Sequence, residues 1–473
     1  MLVPENEKIN KRNGSMFGTV VQQQREYFSS GETLPVESRI KALKKLKGSI
    51  EQNEKGILEA LYRDLRKSET EAYSSEVALV MAEIEHAMRG VAKWAKPTRV
   101  KTPRMHFPGK SFIYPEPVGV ALILSPWNYP FQLLLAPLVG AIAAGNCAVL
   151  KPSEYAPHVS SATAELIRGN FGEEYIAVVE GGVEVAEALL QEKFDHIFFT
   201  GSTAVGKIVM NAASRHLTPV TLELGGKSPC VVWDDAKLEI ASKRIVWGKF
   251  LNAGQTCVAP DYVLVHKDIR EGFVNALIEA MKSFYGPSAQ YCKDYARIIN
   301  GKHFERLVGY LNDGRVVFGG MYDESDLYIA PTLLDSVNES SAVMQDEIFG
   351  PILPILEVET IDEAIDRIQS KPKPLALYLF TNDPGIQDLM LRRTSTGGVC
   401  INDTISHMVG TYLPFGGVGE SGFGSYHGKA GFDCFSHNKS VLKKGFLFDT
   451  KLRYPPYNVE LRKLRKLLKL LLK

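Results

Sequence analysis

The sequence predicts an α/β fold: a doubly wound parallel sheet, a second α/β domain, and a β-hairpin unit that belongs to neither. Three observations carry this prediction. From Val118 the chain alternates short apolar runs with helical patterns, and such alternation makes βαβ units around a parallel sheet. After Leu222 a similar but less regular alternation continues to residue 402. Between residues 98 and 120 neither pattern holds, and prolines interrupt the chain repeatedly. At 473 residues the chain is too long for one ordinary core and suits two or three domains.

Residues 36–65 and 70–95 show apolar positions at helical spacing among many charges, and predict amphipathic surface helices. The proline-broken segment VKTPRMHFPGKSFIYPEPVGV follows, and its phrase KSFIYPEP reads as extended strand with turns, a hairpin arm. Then VGVALILS predicts a buried strand, 131–144 a helix, NCAVLK a strand and 158–169 a helix. YIAVVEG, VEVAEALLQ, HIFFT and 203–214 continue the series as strand, helix, strand and helix. A parallel sheet of this kind is the natural place for a dinucleotide. In the second half TLELGG, SPCVVW, YVLVHK and GVCIND predict strands, with helices at 268–284 and 360–370. Residues 403–445 are rich in glycine and aromatics and lack a regular period.

The balance of 55 Lys and Arg against 54 Asp and Glu leaves a formal charge of +1, so no overall field recruits nucleic acid. The six cysteines are far apart and form no CxxC pair, which argues against a metal site and a disulfide framework and fits a reducing, cytoplasmic compartment. The N-terminus is polar and has no secretory h-region. The apolar stretch Leu133 to Gly145 is shorter than a membrane span and carries Pro137, so it predicts a buried helix. Residues 459–473, VELRKLRKLLKLLLK, hold six Lys and Arg against one Glu, with Leu461, Leu464, Leu468 and Leu471 on one face. That is a basic amphipathic helix, able to cover an apolar opening, to lie on an anionic membrane, or to stand as a solvated end.

Several segments carry residues suited to chemistry. Cys257 lies in FLNAGQTCVAP, a non-periodic stretch between Gly254 and Pro260. A thiol on a tight loop is either a buried structural group or a nucleophile activated by backbone N–H groups. Glu223 in VTLELGGKSP follows apolar strand residues and precedes two glycines; burial there raises a carboxyl towards neutrality and suits a general base, whereas a solvent-facing strand residue would do nothing. In PWNYP two prolines fix the backbone around Asn128, whose amide at a strand end can donate to a developing oxyanion. FFTGSTAVGK places Gly201, Ser202 and Thr203 in a turn and Gly206 in the first turn of a helix, where N–H groups can receive a phosphate. It matches neither the GxGxxG fingerprint nor a P-loop. Lys151 and Glu154 in LKPSE stand where ribose hydroxyls would be met, and an acid there disfavours a 2′-phosphate.

Taken in order, PWNYP, LKPSE, FTGSTAVG, LELGGKSP, GQTC, EIFGP and LPFGGVGESGFG resemble the aldehyde dehydrogenase superfamily over essentially the whole chain, and most resemble its class 3 branch of fatty and aromatic aldehyde dehydrogenases. The resemblance implies oxidation of aldehydes to carboxylic acids with NAD, and possible use of NADP. It implies Cys257 as nucleophile, Glu223 as base and Asn128 as oxyanion donor. It further implies phosphate contacts at Gly201 to Gly206, adenosine-ribose contacts at Lys151 and Glu154, and nicotinamide-side contacts at Glu347 and Phe349. Tyr129, Met408 and Tyr412 are candidates for an apolar substrate pocket, or equally for core packing. The implied domains are 1–97 with 121–222 for NAD(P), 223–402 for catalysis, and 98–120 with 403–445 as a bridging unit that joins a homodimer, leaving 446–473 as the tail. A CoA-acylating enzyme, or a non-redox thioesterase or structural protein on the same fold, is the alternative; the base Glu223 argues for water over CoA as acyl acceptor.

Overall fold

A strand that is apolar at every position must be covered on both faces, and the computed structural model, which describes residues 17–447, 449 and 453–471, places the strands accordingly. The first sheet has six strands in the order Gly422–Phe423, Val220–Glu223, His196–Thr200, Val120–Leu124, Cys147–Lys151 and Ile176–Val178. Every pair is parallel except the two-residue edge strand at Gly422. The chain starts the sheet at Val120–Leu124, builds outwards through Cys147–Lys151 and Ile176–Val178, then returns to the other side at His196–Thr200. The strand order therefore reverses between Val120–Leu124 and His196–Thr200, and a crevice opens there at the carboxyl ends.

The predicted buried helix is Gln132–Ala144, and all of its residues are buried, Pro137 included. Its close packing explains a glycine: a Cβ on Gly140 would stand 2.9 Å from the Gly431 carbonyl oxygen of helix Gly428–Cys434. The second sheet has seven strands, in the order Arg315–Phe318, Thr332–Asp335, Ile352–Val358, Tyr262–His266, Pro229–Val232, Ala376–Phe380 and Gly398–Ile401. All neighbours in it are parallel except the first pair. A three-stranded antiparallel sheet, Thr98–Val100, Lys110–Pro117 and Ser436–Lys443, makes the hairpin arm.

Some expectations change. The helical pattern over 70–95 is not one surface helix. It runs as Glu69–Ala72, a π turn Tyr73–Val77, and Ala78–Trp94. Residues of its first turns face inward, and Glu76 is fully buried. The segment 403–445 is not one unit. Ser436–Lys443 joins the arm, Gly422–Phe423 closes the first sheet, and helix Gly428–Cys434 packs on Gln132–Ala144. The tail is helical over Leu461–Leu471 and lies against the turn Arg104–His106. Its last two residues lie outside those described. No helix among the described residues is long and apolar enough to cross a membrane.

Candidate active site

The crevice at the strand-order reversal continues into a cleft of about 500 Å³ between the two sheets. Its walls include Asn128, Gly201, Ser202, Glu223, Cys257 and Glu347, together with Thr203 and Phe349. Segments far apart in sequence meet there because each leaves the carboxyl end of a strand or precedes the second sheet.

Strand Val120–Leu124 ends in Ser125, and Pro126 to Pro130 then turn towards the second sheet. Asn128 is buried, and its Nδ2 donates to the Gln255 carbonyl at 3.0 Å. One amide hydrogen is thus spent on holding the side chain, and the other is left for the cleft. Tyr129 points away from the cleft; its hydroxyl lies 2.7 Å from Thr256 Oγ1 and its ring is buried.

Cys257 follows a short loop with an unusual backbone. Asn252, Ala253 and Gly254 all adopt positive φ, 53°, 52° and 75°. This is sparse space for alanine, held only when the surroundings over-determine it. Asn252 N–H donates to Glu71 Oε1 at 2.8 Å, and a Cβ on Gly254 would stand 2.2 Å from the Gly350 carbonyl oxygen. The half-buried thiol is pushed far up by burial, then by the negative charges of Glu347 and Glu223, while the N–H groups of Cys257 and Val258 pull the other way.

Glu223 ends strand Val220–Glu223, is 2% exposed, and neither carboxylate oxygen has a hydrogen-bond partner among the described residues. Burial alone raises it well above the ordinary carboxyl range. Glu347 is raised to about 8, by burial first and then by Asp261, against the Gly226 N–H, Lys227 and Lys249. Two carboxyls of raised proton affinity thus line one cleft with a thiol, and in the ionised form each is a stronger proton acceptor than an ordinary carboxylate.

The glycine turn sits where strand His196–Thr200 ends. Ser202 Oγ caps helix Thr203–Ser214 by accepting from Val205 N–H, and Thr203 Oγ1 donates to the Glu420 carbonyl at 3.1 Å. Gly206 lies beneath the cleft: a Cβ there would stand 2.8 Å from Leu224 Cδ2, so glycine lets the helix start close to the next strand. Thr200 Oγ1 is buried beside the turn without a partner among the described residues. A helix N-terminus with an orphan hydroxyl beside it, at the sheet's switch point, fits the pyrophosphate of a dinucleotide. Lys151 and Glu154 form an ion pair of 2.7 Å at the end of the adjacent strand, outside the cleft lining.

The remaining expected residues are elsewhere. Met408 is half-buried in the turn Ser406–Met408. Tyr412 is 84% exposed and lines a second cavity of about 580 Å³ with His86, Trp94 and His427. The cleft also holds His303 and Arg306, from a helix, Gly301–Tyr310, that the sequence reading missed. Its signal was available: Asn300 at the N-cap, then Phe304, Leu307, Val308 and Leu311 at helical spacing. Trp127 connects both sides of the cleft, with its ring 5.0 Å from His303 and 5.3 Å from Phe349. Lys227, the residue after Gly225-Gly226, was overlooked too; buried, it pairs with Asp261 and donates to the carbonyls of Val343 and Asp346.

The chain matches known proteins over most of its length. The model of the aldehyde dehydrogenase family matches residues 7–441. A 4,4′-diaponeurosporen-aldehyde dehydrogenase of Staphylococcus aureus is 49% identical over 91% of this chain and 94% of its own. A mouse (Mus musculus) aldehyde dehydrogenase, described as dimeric and NADP-preferring, is 48% identical over 93% of this chain and 98% of its own. The substrate-bound structure of Staphylococcus aureus AldH superposes with a TM-score of 0.93 at 47% identity, covering 96% of this chain and 99% of that one. The protein studied here belongs to the aldehyde dehydrogenase family, NAD(P)-dependent enzymes that oxidise aldehydes to acids.

Proposed function

We propose that Cys257, Glu223 and Asn128 carry the reaction. The single observation behind this is that one cleft gathers a thiol, an orphan buried carboxylate and a pinned amide beside a helix N-terminus. The Cys257 thiol loses its proton to water in the cleft, the thiolate sulfur bonds to the aldehyde carbon, and the C=O π pair moves to the oxygen, which gains charge as a thiohemiacetal forms. The free Nδ2–H of Asn128 and the Cys257 N–H receive that charge, a contribution of about 3 kcal/mol for one such donor. A bound nicotinamide would supply hydride acceptance, and Cys257 carries the acyl group as a thioester. Glu223 then takes a proton from water, whose oxygen attacks the thioester and releases the acid and the thiol. Gly201, Ser202 and Thr203 would hold the pyrophosphate, and Glu347 and Phe349 would stand on the nicotinamide side. Cys257→Ala is expected to abolish NADH formation while NAD binding, read by protein fluorescence, survives; full activity in that variant would overturn the assignment.

Both cofactors fit this reading. Glu154 repels a 2′-phosphate, but Lys151 meets its charge at 2.7 Å, and the mouse relative is NADP-preferring by name. Medium- or long-chain aliphatic or aromatic aldehydes are the substrates we infer, on the support of Trp127 and Leu133 in the lining of the cleft that holds Cys257. A cytoplasmic homodimer joined through the hairpin arm is our reading of the assembly. The arm ends in an open edge, Ser436–Lys443, and the second sheet ends in Gly398–Ile401, half-exposed at all four positions. The tail helix keeps Leu464, Leu468 and Leu471 half-buried on one face and its cations outside, which suits contact with an anionic membrane.

A further inference from the structure

We propose that Lys67 and Glu76 are a positioning pair that aims the amide of Asn128 at the reacting oxygen. This rests on the reading of Asn128 as the oxyanion donor. Both side chains are 0% exposed, and Lys67 Nζ lies 2.5 Å from Glu76 Oε1. An ammonium has three N–H donors, and this one has three acceptors. They are Glu76, the Asn128 carbonyl at 2.9 Å, and the ring face of Tyr129, whose centroid is 3.9 Å away. The other Glu76 oxygen accepts from Phe131 N–H at 2.9 Å and Gln132 N–H at 3.1 Å. The pair therefore grips PWNYP on both sides: the carbonyl of Asn128, and the helix start just beyond Pro130.

The same carbonyl also binds the nucleophile loop. Asn252 Nδ2 donates to the Asn128 carbonyl at 2.8 Å and to the Gln255 carbonyl at 3.2 Å. The Gln255 carbonyl in turn receives Asn128 Nδ2 at 3.0 Å. Both lone pairs of the Asn128 carbonyl are thus used, one by Lys67 and one by the loop that carries Cys257. The distance from amide to thiol is fixed by this shared atom, and neither Lys67 nor Glu76 is among the residues that line the cleft. A shift of about 1 Å at such a donor is enough to cost roughly 10²-fold in rate.

The test uses Lys67→Met/Glu76→Gln, which removes both charges together, and compares single-turnover NADH formation at saturating aldehyde and NAD. The expected result is a fall of about 10²-fold with NAD affinity unchanged. In the Asn128→Ala background the same double change should have no further effect, because its route is already cut. A wild-type rate in the folded double variant, or an equal loss on top of Asn128→Ala, overturns the positioning role. If Asn128→Ala alone leaves the rate intact, the oxyanion reading itself has failed and the pair's role falls with it. Should the double variant not fold, Lys67→Arg, which keeps the charge but displaces the donors, is put through the same cycle with the same deciding outcomes.

Discussion

Replacing Glu223 by Gln should slow the enzyme and stabilise it, and both effects come from one structural feature. The carboxylate is buried, has no hydrogen-bond donor, and is raised well above its ordinary 4.5 by burial. A general base contributes about 10²- to 10⁴-fold, or roughly 3–5 kcal/mol at 1.36 kcal/mol per tenfold. Glu347 lines the same cleft and is raised to about 8, so it stands ready to take over part of the task. We therefore expect the lower end, a fall in kcat of about 10²-fold. Steps before hydrolysis do not use the base, so a stoichiometric burst of NADH should remain in stopped-flow traces. The stability effect has a definite sign. Because the folded value lies above the unfolded one, the folded state keeps a proton that the unfolded state loses above 4.5. Stability therefore falls as pH rises through that window. Glutamine does not ionise and breaks no contact, so the variant should melt higher than wild type at pH 7.5, with a smaller advantage at pH 5. A wild-type steady-state rate would remove Glu223 from the hydrolytic step. A lower melting temperature would show that the carboxylate is held by interactions the structure does not contain.

Other perturbations have equally definite signs. Asp261→Asn strands the buried Lys227 ammonium and should cost about 3–5 kcal/mol in urea unfolding, with Lys227→Met/Asp261→Asn recovering much of it; an unchanged midpoint in the single variant would refute this. His196 is buried and lowered to about 4. The stability it confers is present above its ordinary 6.5 and is lost as pH falls from there towards 4. The unfolding free energy of wild type minus that of His196→Phe should accordingly decrease over that window, and a constant difference would exclude the mechanism. A chain ending at Tyr457 should lose sedimentation with anionic liposomes relative to the full chain, the loss being larger at low salt; equal binding would end the membrane reading of the tail.

The parallel strands were legible because burial on both faces leaves no room for polar residues. Val120–Leu124 is buried at every position and reads as an unbroken apolar run, and His196–Thr200, equally buried, keeps Ile197 to Phe199 apolar between two polar ends. Of the helices between them, Gln132–Ala144 announces itself by a continuous apolar stretch and Pro157–Arg168 by period. What escaped has the opposite character. Gly422–Phe423 is two residues between glycines, too short for any period, and becomes a strand only because the edge of Val220–Glu223 is there to pair with it. The backbone at Asn252 and Ala253 is fixed by Glu71, a residue 181 positions away in sequence, so nothing local could reveal it. The cleft residues in motifs were legible one by one. Their meeting was not, since it depends on how two sheets face each other. Tyr129 shows the limit: it sits between Asn128 and Pro130 in a motif read for the cleft, yet its hydroxyl turns to Thr256 and it is not part of the cleft lining.

Lys67 and Glu76 show why charge alone misleads. Both lie in a charge-rich stretch that reads as solvated surface, and both are fully buried. The local cause is punctuation. Arg66 ends helix Val36–Leu65 in the left-handed region with φ 57°, and Ser68 caps the next helix by accepting from Glu71 N–H. Lys67 stands between those two helix ends, where the chain turns inward. Removing two charges from water costs several kcal/mol per ion, and mutual attraction offsets this only when the remaining donors and acceptors are also satisfied. Here they are, by the Asn128 carbonyl, the Tyr129 ring and two N–H groups at a helix start. An apolar pair of the same volume would avoid the desolvation of two charges, but it would leave the Asn128 carbonyl with Asn252 alone and the buried N–H groups of Phe131 and Gln132 unpaired, at about 1–3 kcal/mol each. The ions satisfy that backbone and, through the same bonds, fix the amide beside Cys257.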